Sequence, residues 1–462
     1  MSFHFHTKGR WSQRLAPRLS KLADLLLNTE PFWVIPALAF TYTSLLWGMN
    51  YSWVGLIIAS LPFPLRRWRE GYFTHRTPFD LPVGLFFIAS LIGLFASPDW
   101  GLSLRAFQSC LVCILLYYSL ANIPHIGYVK WGFAFAGVCI LAAILLALGG
   151  GFSPPPIAGQ FGTWVEEQLQ RLPQIPHLSN LVTPTISGSH GLTIALEIIL
   201  IPLIGISLFT CKLSGRMAAI FFSLLFLILL FLFASQGAWL AVGIAVFLLL
   251  LWRSRWLLLP VSAAAGIGYW GFRHEWFDPH LFLSPFNRVT PGSSLGDRIA
   301  LWQEAIGVIQ DHPATGCGLG YLEQFSPTHL SPHNAYLQLY ADMGIAGALT
   351  FLCALTIGGG IALNLLGSPG THPWHGFAIG LLVAIVAIGI HGIFEASPAG
   401  ILAEGTHTYY YVVSPVFSIL AGLLVRTQRI LQSESITEDY SLPNMKDLKV
   451  SKGDSSWQGC AI

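Results

Sequence analysis

Apolar residues recur in this chain in runs of about 17–25, the length a helix needs to cross a hydrocarbon layer. Nothing else in the sequence constrains the fold as tightly. Inside a bilayer every backbone N–H and C=O must be satisfied internally, which leaves helices or closed barrels. Twelve runs can be read, at 31–48, 51–65, 79–97, 104–122, 131–151, 192–210, 217–233, 239–252, 256–272, 343–366, 377–395 and 407–425. Several are short, and Pro62 and Pro64 interrupt the second. Of the 462 residues, 54% are hydrophobic and only 10% charged. A soluble domain carries about a quarter charged residues. The expected fold is therefore all-α: one polytopic membrane domain of about twelve transmembrane helices, with a large helical outer loop before the tenth.

The distribution of positive charge tests that count, because cytoplasmic loops collect Lys and Arg. Twelve spans put both termini on one side. That side holds Lys8, Arg10, Arg14, Arg18, Lys21, the Arg66–Arg76 hairpin loop, Lys130, Lys212, Arg216, Arg253, Arg255, Arg426, Arg429 and the tail lysines, 19 of the 24 Lys and Arg. The other side holds Arg105, Arg171, Arg273, Arg288 and Arg298. Both termini are therefore expected in the cytoplasm. Residues 1–30 show no cleavable-signal pattern and read as a cytoplasmic amphipathic segment. Residues 31–425 form the membrane domain, and 426–462 read as a disordered cytoplasmic tail. The net charge of +2 gives no reason to expect nucleic acid.

Two outer loops are long. The first, 152–191, is rich in Pro and reads as a lid, either a simple cap or a cover over a lipid-linked substrate. The second, 273–342, keeps Arg273, Arg288, Arg298 and His333 outside the bilayer, as a polar and often anionic substrate would require. Within it, Ile299, Trp302, Ile306 and Ile309 recur at helical spacing after Asp297, read as an N-cap, and His312-Pro313 ends the helix. Arg298 near that helix start suits a phosphate cradle; pairing with Glu304 is the alternative. Gly316-Cys317-Gly318-Leu319-Gly320 lacks the Lys-Ser/Thr ending of a phosphate loop and reads as a flexible turn.

Ser331-Pro332 has the chemistry of a helix start, Ser as N-cap and Pro at the first position. His333 would then lie in the first turn. There the helix dipole disfavours imidazolium, so His333 suits a general base, against the alternative of an ordinary surface His. Few ionisable groups fall inside the spans. Glu197 is one, and His391 and Glu395 lie at an outer end; intramembrane charge is costly and often functional.

Several landmarks follow one order: Ser235-Gln236-Gly237-Ala238-Trp239, then Arg298 with Trp302, then His312 to Gly320. His333-Asn334-Ala335-Tyr336-Leu337-Gln338 and Met343-Gly344-Ile345-Ala346-Gly347 complete it. This order resembles the O-antigen ligase and polymerase superfamily of bacterial envelope proteins over roughly 217–360. His391-Gly392-Ile393-Phe394-Glu395 is also similar to a stretch in cyanobacterial members named putative bicarbonate transporters. The resemblance implies a metal-independent glycosyltransferase of the bacterial inner membrane facing the periplasm, with no cofactor. It would move a glycan from undecaprenyl diphosphate to a lipid or saccharide acceptor. By position, His333 would deprotonate the acceptor hydroxyl and Arg298 would bind the departing diphosphate. Arg288, Gln236, Arg273, Asn334, Tyr336 and Gln338 would line the substrate site. Gln236 departs from the family, which shows Arg there. Losing that charge would cost about 1.5–3 kcal/mol of diphosphate binding. A small-anion transporter or accessory, or an inactive relative, is the competing expectation.

Overall fold

The computed structural model describes residues 20–41, 51–123, 190–270, 295–366, 374–395 and 400–440, with short breaks inside these ranges. The first long outer loop, the fifth apolar run, and Arg273 and Arg288 lie outside the described residues. In chain order the elements are α1 (Ser52–Ser60), α2 (Pro62–Glu70), α3 (Asp80–Ala96), α4 (Trp100–Ala121), α5 (His190–Phe209), α6 (Leu213–Phe233) and α7 (Gln236–Arg253). They continue with α8 (Leu295–Asp311), α9 (Leu322–Phe325), α10 (Ala335–Leu366), α11 (His375–Phe394), β1 (Gly400–Glu404), β2 (Tyr409–Val413) and α12 (Val416–Tyr440).

Among the described residues, three helices are long and apolar enough to cross a membrane: Trp100–Ala121, Ala335–Leu365 and His375–Phe394. Asp80–Ala96, Leu196–Phe209, Gly215–Leu227 and Gly237–Arg253 are apolar but shorter. The second expected span resolves into two nine-residue helices meeting at Leu61. Each is about 13 Å long, too short to cross alone. Pro62 opens the second of them, where its missing N–H costs nothing.

The described elements are helical, as expected, apart from one two-stranded ribbon. Gly400–Glu404 and Tyr409–Val413 pair antiparallel, with Leu402 opposite Tyr411. The Tyr-Tyr-Tyr-Val-Val run has high strand propensity, so the twelfth apolar run begins as a strand before α12. At the far end α12 runs on to Tyr440, past Arg426 where the sequence suggested a disordered tail. Leu424, Gln428 and Leu431 keep a buried edge along it, and Arg429 donates to the carbonyls of Ala121 and Arg76.

The largest core lies where α11 packs against α5, α7 and α12. α5 and α11 run antiparallel in near backbone contact. A Cβ on Gly205 would lie 2.6 Å from the Gly376 carbonyl, and one on Gly380 would lie 2.6 Å from the Pro202 Cα. Small residues are what allow helices to approach so closely within a membrane.

Polar side chains gather at two ends of the bundle. At one end, Arg66 pairs with buried Glu30, and Arg69 lies 2.7 Å from Asp24. At the other, the Gly316–Gly320 segment is clamped rather than flexible. Leu319 N donates to Gly93 O, Ser103 Oγ donates to Leu319 O, and Cys317 N donates to Ala341 O. Gly318 (φ 119°) lies against Ser97, where a Cβ would come within 2.6 Å of that residue's Cα. The glycines are there so that backbone can touch backbone.

Candidate functional site

The segment that sequence reading singled out packs onto the last turn of α11. α8 starts at Leu295, two residues before the expected Asp297 cap, so Asp297 falls in its first turn. A carboxylate there complements the helix dipole. Arg298 follows and donates to the carbonyl of Phe394, the final residue of α11. Its weighed partner Glu304 is engaged elsewhere, accepting from Ser326 Oγ and Thr328 Oγ1. Partial burial opposes ionisation of Glu304, but those hydroxyls outweigh it and hold the carboxyl below its usual range.

One turn after Arg298, Trp302 Nε1 donates to Pro332 O at 2.9 Å. This bond pins the residue before His333 to the same helix that carries Arg298. His333 Nδ1 stands 3.4 Å from Glu395 Oε1, the residue after Phe394. Arg298 and His333 therefore converge on consecutive residues of one helix end. The His333 side chain is 26% exposed and that of Glu395 only 7%. The site thus has one open wall.

Helix α10 begins differently from the Ser331-Pro332 reading. Its first residue is Ala335, and Asn334 is the cap: Asn334 Oδ1 accepts from Tyr336 N and Leu337 N, each at 3.0 Å. Asn caps as well as Ser, and here Asn334 also donates to Ile393 O at 3.1 Å, which Ser331 could not do from its position. His333 consequently stands before the helix, with φ 47°. His is among the residues that visit this left-handed region, at a cost that often marks a functional position. His333 therefore lies outside the helical turn on which the dipole acts.

The other sequence candidates are distributed as follows. Tyr336 donates its hydroxyl to Gly389 O and meets Phe351 edge to face. Gln338 is fully buried and donates to Asp342 Oδ2 at 3.1 Å. Asn334 and Tyr336 thus hold α10 against α11, while the Gln338 bond lies within α10. Gln236 is the first residue of α7, and Gly237 beside it lies against His391. Arg273 and Arg288 fall outside the described residues.

Two buried clusters flank the convergence point. Glu323 in α9 lies near Asp342, whose carboxyl also takes the backbone N–H groups of Gly320 and Leu322. Burial pushes the Glu323 carboxyl up to about 7, against lowering by its own backbone N–H, Gln338 and the field of His333. The second cluster is Glu197 and His391, with His391 Nδ1 2.8 Å from Glu197 Oε1. Sequence reading noted Glu197, His391 and Glu395 as intramembrane ionisable groups but did not place them at the site. The signal was available: His391 and Glu395 are four apart at the end of one apolar run, and Glu395 proves to be the residue that caps α11.

Within α10, nine residues after its start, the backbone shows why the glycine of Met343-Gly344 is needed. Gly344 has φ 65° and ψ −160°, a break in the helix that lets Ile345 N donate to Pro313 O at 3.1 Å. A side chain there would overlap the Ala314 carbonyl.

Residues 221–352 match the family model described as O-antigen ligase. The matched segment runs from within α6 to within α10 and includes Gln236, Arg298 and His333. No curated protein matches the chain. The match covers 132 of the 462 residues and shows that this segment is similar to O-antigen ligases.

Proposed function

We infer that this protein is a glycosyltransferase of the O-antigen ligase or polymerase type, moving a glycan from a polyprenyl diphosphate carrier to a lipid or saccharide acceptor at the outer face of a bacterial inner membrane. The observation that carries this reading is the meeting of Arg298 and His333 on Phe394 and Glu395. With the hydrogen on Nδ1 turned toward Glu395, the accepting lone pair of His333 is on Nε2, and the carboxylate steadies the imidazolium formed on protonation. The acceptor O–H proton passes to His333 as the acceptor oxygen bonds to the anomeric carbon. The bond from that carbon to phosphate breaks, and its electron pair leaves with the diphosphate. Arg298 keeps one N–H on the Phe394 carbonyl and offers its remaining donors to the growing negative charge. Gln236 is assigned to the donor side by its position in the family, and Arg288 or Arg273 would supply the charge that it lacks.

The test is transfer from a polyprenyl-diphosphate-linked glycan in proteoliposomes. His333→Ala abolishes it while the protein still inserts and stays monodisperse; retained transfer removes His333 as the base. A second reading, a small-anion transporter, draws on the ionisable pair buried at Glu197 and His391. A deletion strain that loses bicarbonate uptake but keeps its envelope polysaccharide would favour that reading instead.

A further inference from the structure

The Glu197–His391 pair has no part in the reaction just described, and its geometry is unusual for a packing contact. The two side chains are 0% and 1% exposed and 2.8 Å apart, in the interface between α5 and α11. Glu197 Oε2 and His391 Nε2 have no hydrogen-bond partner among the described residues. An apolar pair of similar shape would satisfy such an interface at lower cost. A third helix completes the enclosure. A Cβ at Gly237, the second residue of α7, would lie 2.6 Å from His391 Cδ2 and 2.9 Å from Nε2. The imidazole is therefore held between a carboxylate on α5 and bare backbone on α7.

What His391 controls lies one turn further on. Phe394, three residues on, is the last residue of α11, and Glu395 is the extended residue that caps it. These supply the carbonyl that holds Arg298 and the carboxylate that faces His333.

We propose that Glu197 and His391 are positioning residues: the pair fixes the rotation and height of the α11 terminus, and through Phe394 and Glu395 it sets where Arg298 and His333 stand. This rests on the transferase reading for its kinetic consequence but not for its structural one. Two measurements on the full-length protein in detergent micelles separate them. The first is the rate at which diethyl pyrocarbonate modifies His333, read by peptide mass, with exposed His75 as control. Glu197→Gln is expected to speed modification of His333 by about threefold, through loosening of its contact with Glu395, and to leave His75 unchanged.

The second measurement is glycan transfer. Glu197→Gln lowers kcat by about tenfold to a hundredfold, with donor KM moved by less than about twofold, as a misplaced base does. The double variant Glu197→Gln/His391→Gln is no slower than the worse single one, because the two act as a unit. Gly237→Ala, which displaces the imidazole without removing either ionisable group, reproduces both effects and serves where Glu197→Gln fails to fold. Unchanged His333 reactivity in a folded variant overturns the proposal, as do multiplicative losses in the double variant. Absence of transfer by the unaltered protein counts against the transferase reading alone, and His333 reactivity still decides this one.

Discussion

Asn334 performs two separable jobs, and a pair of substitutions takes them apart. Its Oδ1 caps α10 through Tyr336 N and Leu337 N, and its Nδ2 donates to Ile393 O in α11. Removing an Asn cap costs about 1 kcal/mol. Losing a buried hydrogen bond to a backbone carbonyl costs about another 1 kcal/mol. Asn334→Ala is therefore expected to destabilise the protein by about 2 kcal/mol. Asn334→Ser keeps a competent cap but cannot reach Ile393, so it should lose only about 1 kcal/mol. The assay is equilibrium unfolding by SDS titration in dodecyl maltoside, followed by tryptophan fluorescence, with donor KM measured in parallel. The family resemblance instead placed Asn334 against substrate. A large rise in donor KM with unchanged stability would restore that role and refute the cap. Equal losses for Ala and Ser would show that the cap contributes nothing.

Gly344→Ala should cost about 3 kcal/mol or more, since it combines a backbone conformation open to glycine with overlap on the Ala314 carbonyl; loss of the monodisperse species on size exclusion reports it. Burial holds the Glu323 carboxyl up to about 7 in the fold, beside an Asp342 carboxyl that is raised as well, so the folded state binds a proton that the unfolded chain has released by then. Stability should be full below about pH 4.3 and fall as pH rises through about 7, and Glu323→Gln should flatten that slope in thermal melts. Gln236→Arg should preserve or tighten binding of undecaprenyl diphosphate, by up to about a hundredfold if the diphosphate sits at the start of α7; a strong loss would mean a remodelled donor site.

Much of the site could be read from residue order, because its chemistry depends on side chains that few other positions could carry. Arg298 and His333 were identifiable as an Arg and a His kept on an outer loop, and the structure brings them to one helix end. Their shared support was not legible. Phe394 contributes only a carbonyl, and a carbonyl leaves no mark in sequence. Glu395 and His391 were visible as ionisable groups in an apolar run, but their facing partners lie 62 and 194 positions away. The start of α10 was misread because Ser331-Pro332 and Asn334 are both good starts by local chemistry. The long-range donation from Asn334 to Ile393 decides between them. The Gly316–Gly320 run looked loose for the same reason: glycine permits movement in isolation, and only the neighbours at Gly93, Ser97 and Ala341 reveal close contact. The ribbon at 400–413 lies in a run where apolar character alone does not distinguish strand from helix.

Helix α10 begins two residues after His333 and then sinks its own greasy length among the other spans. The level of the imidazole along the bundle consequently follows the seating of that helix as well as the α11 terminus, as a mast follows its float. One residue inserted before the Gly344 break would lift His333 by about 1.5 Å and swing it by about 100°. The same insertion beyond the break would leave it where it stands.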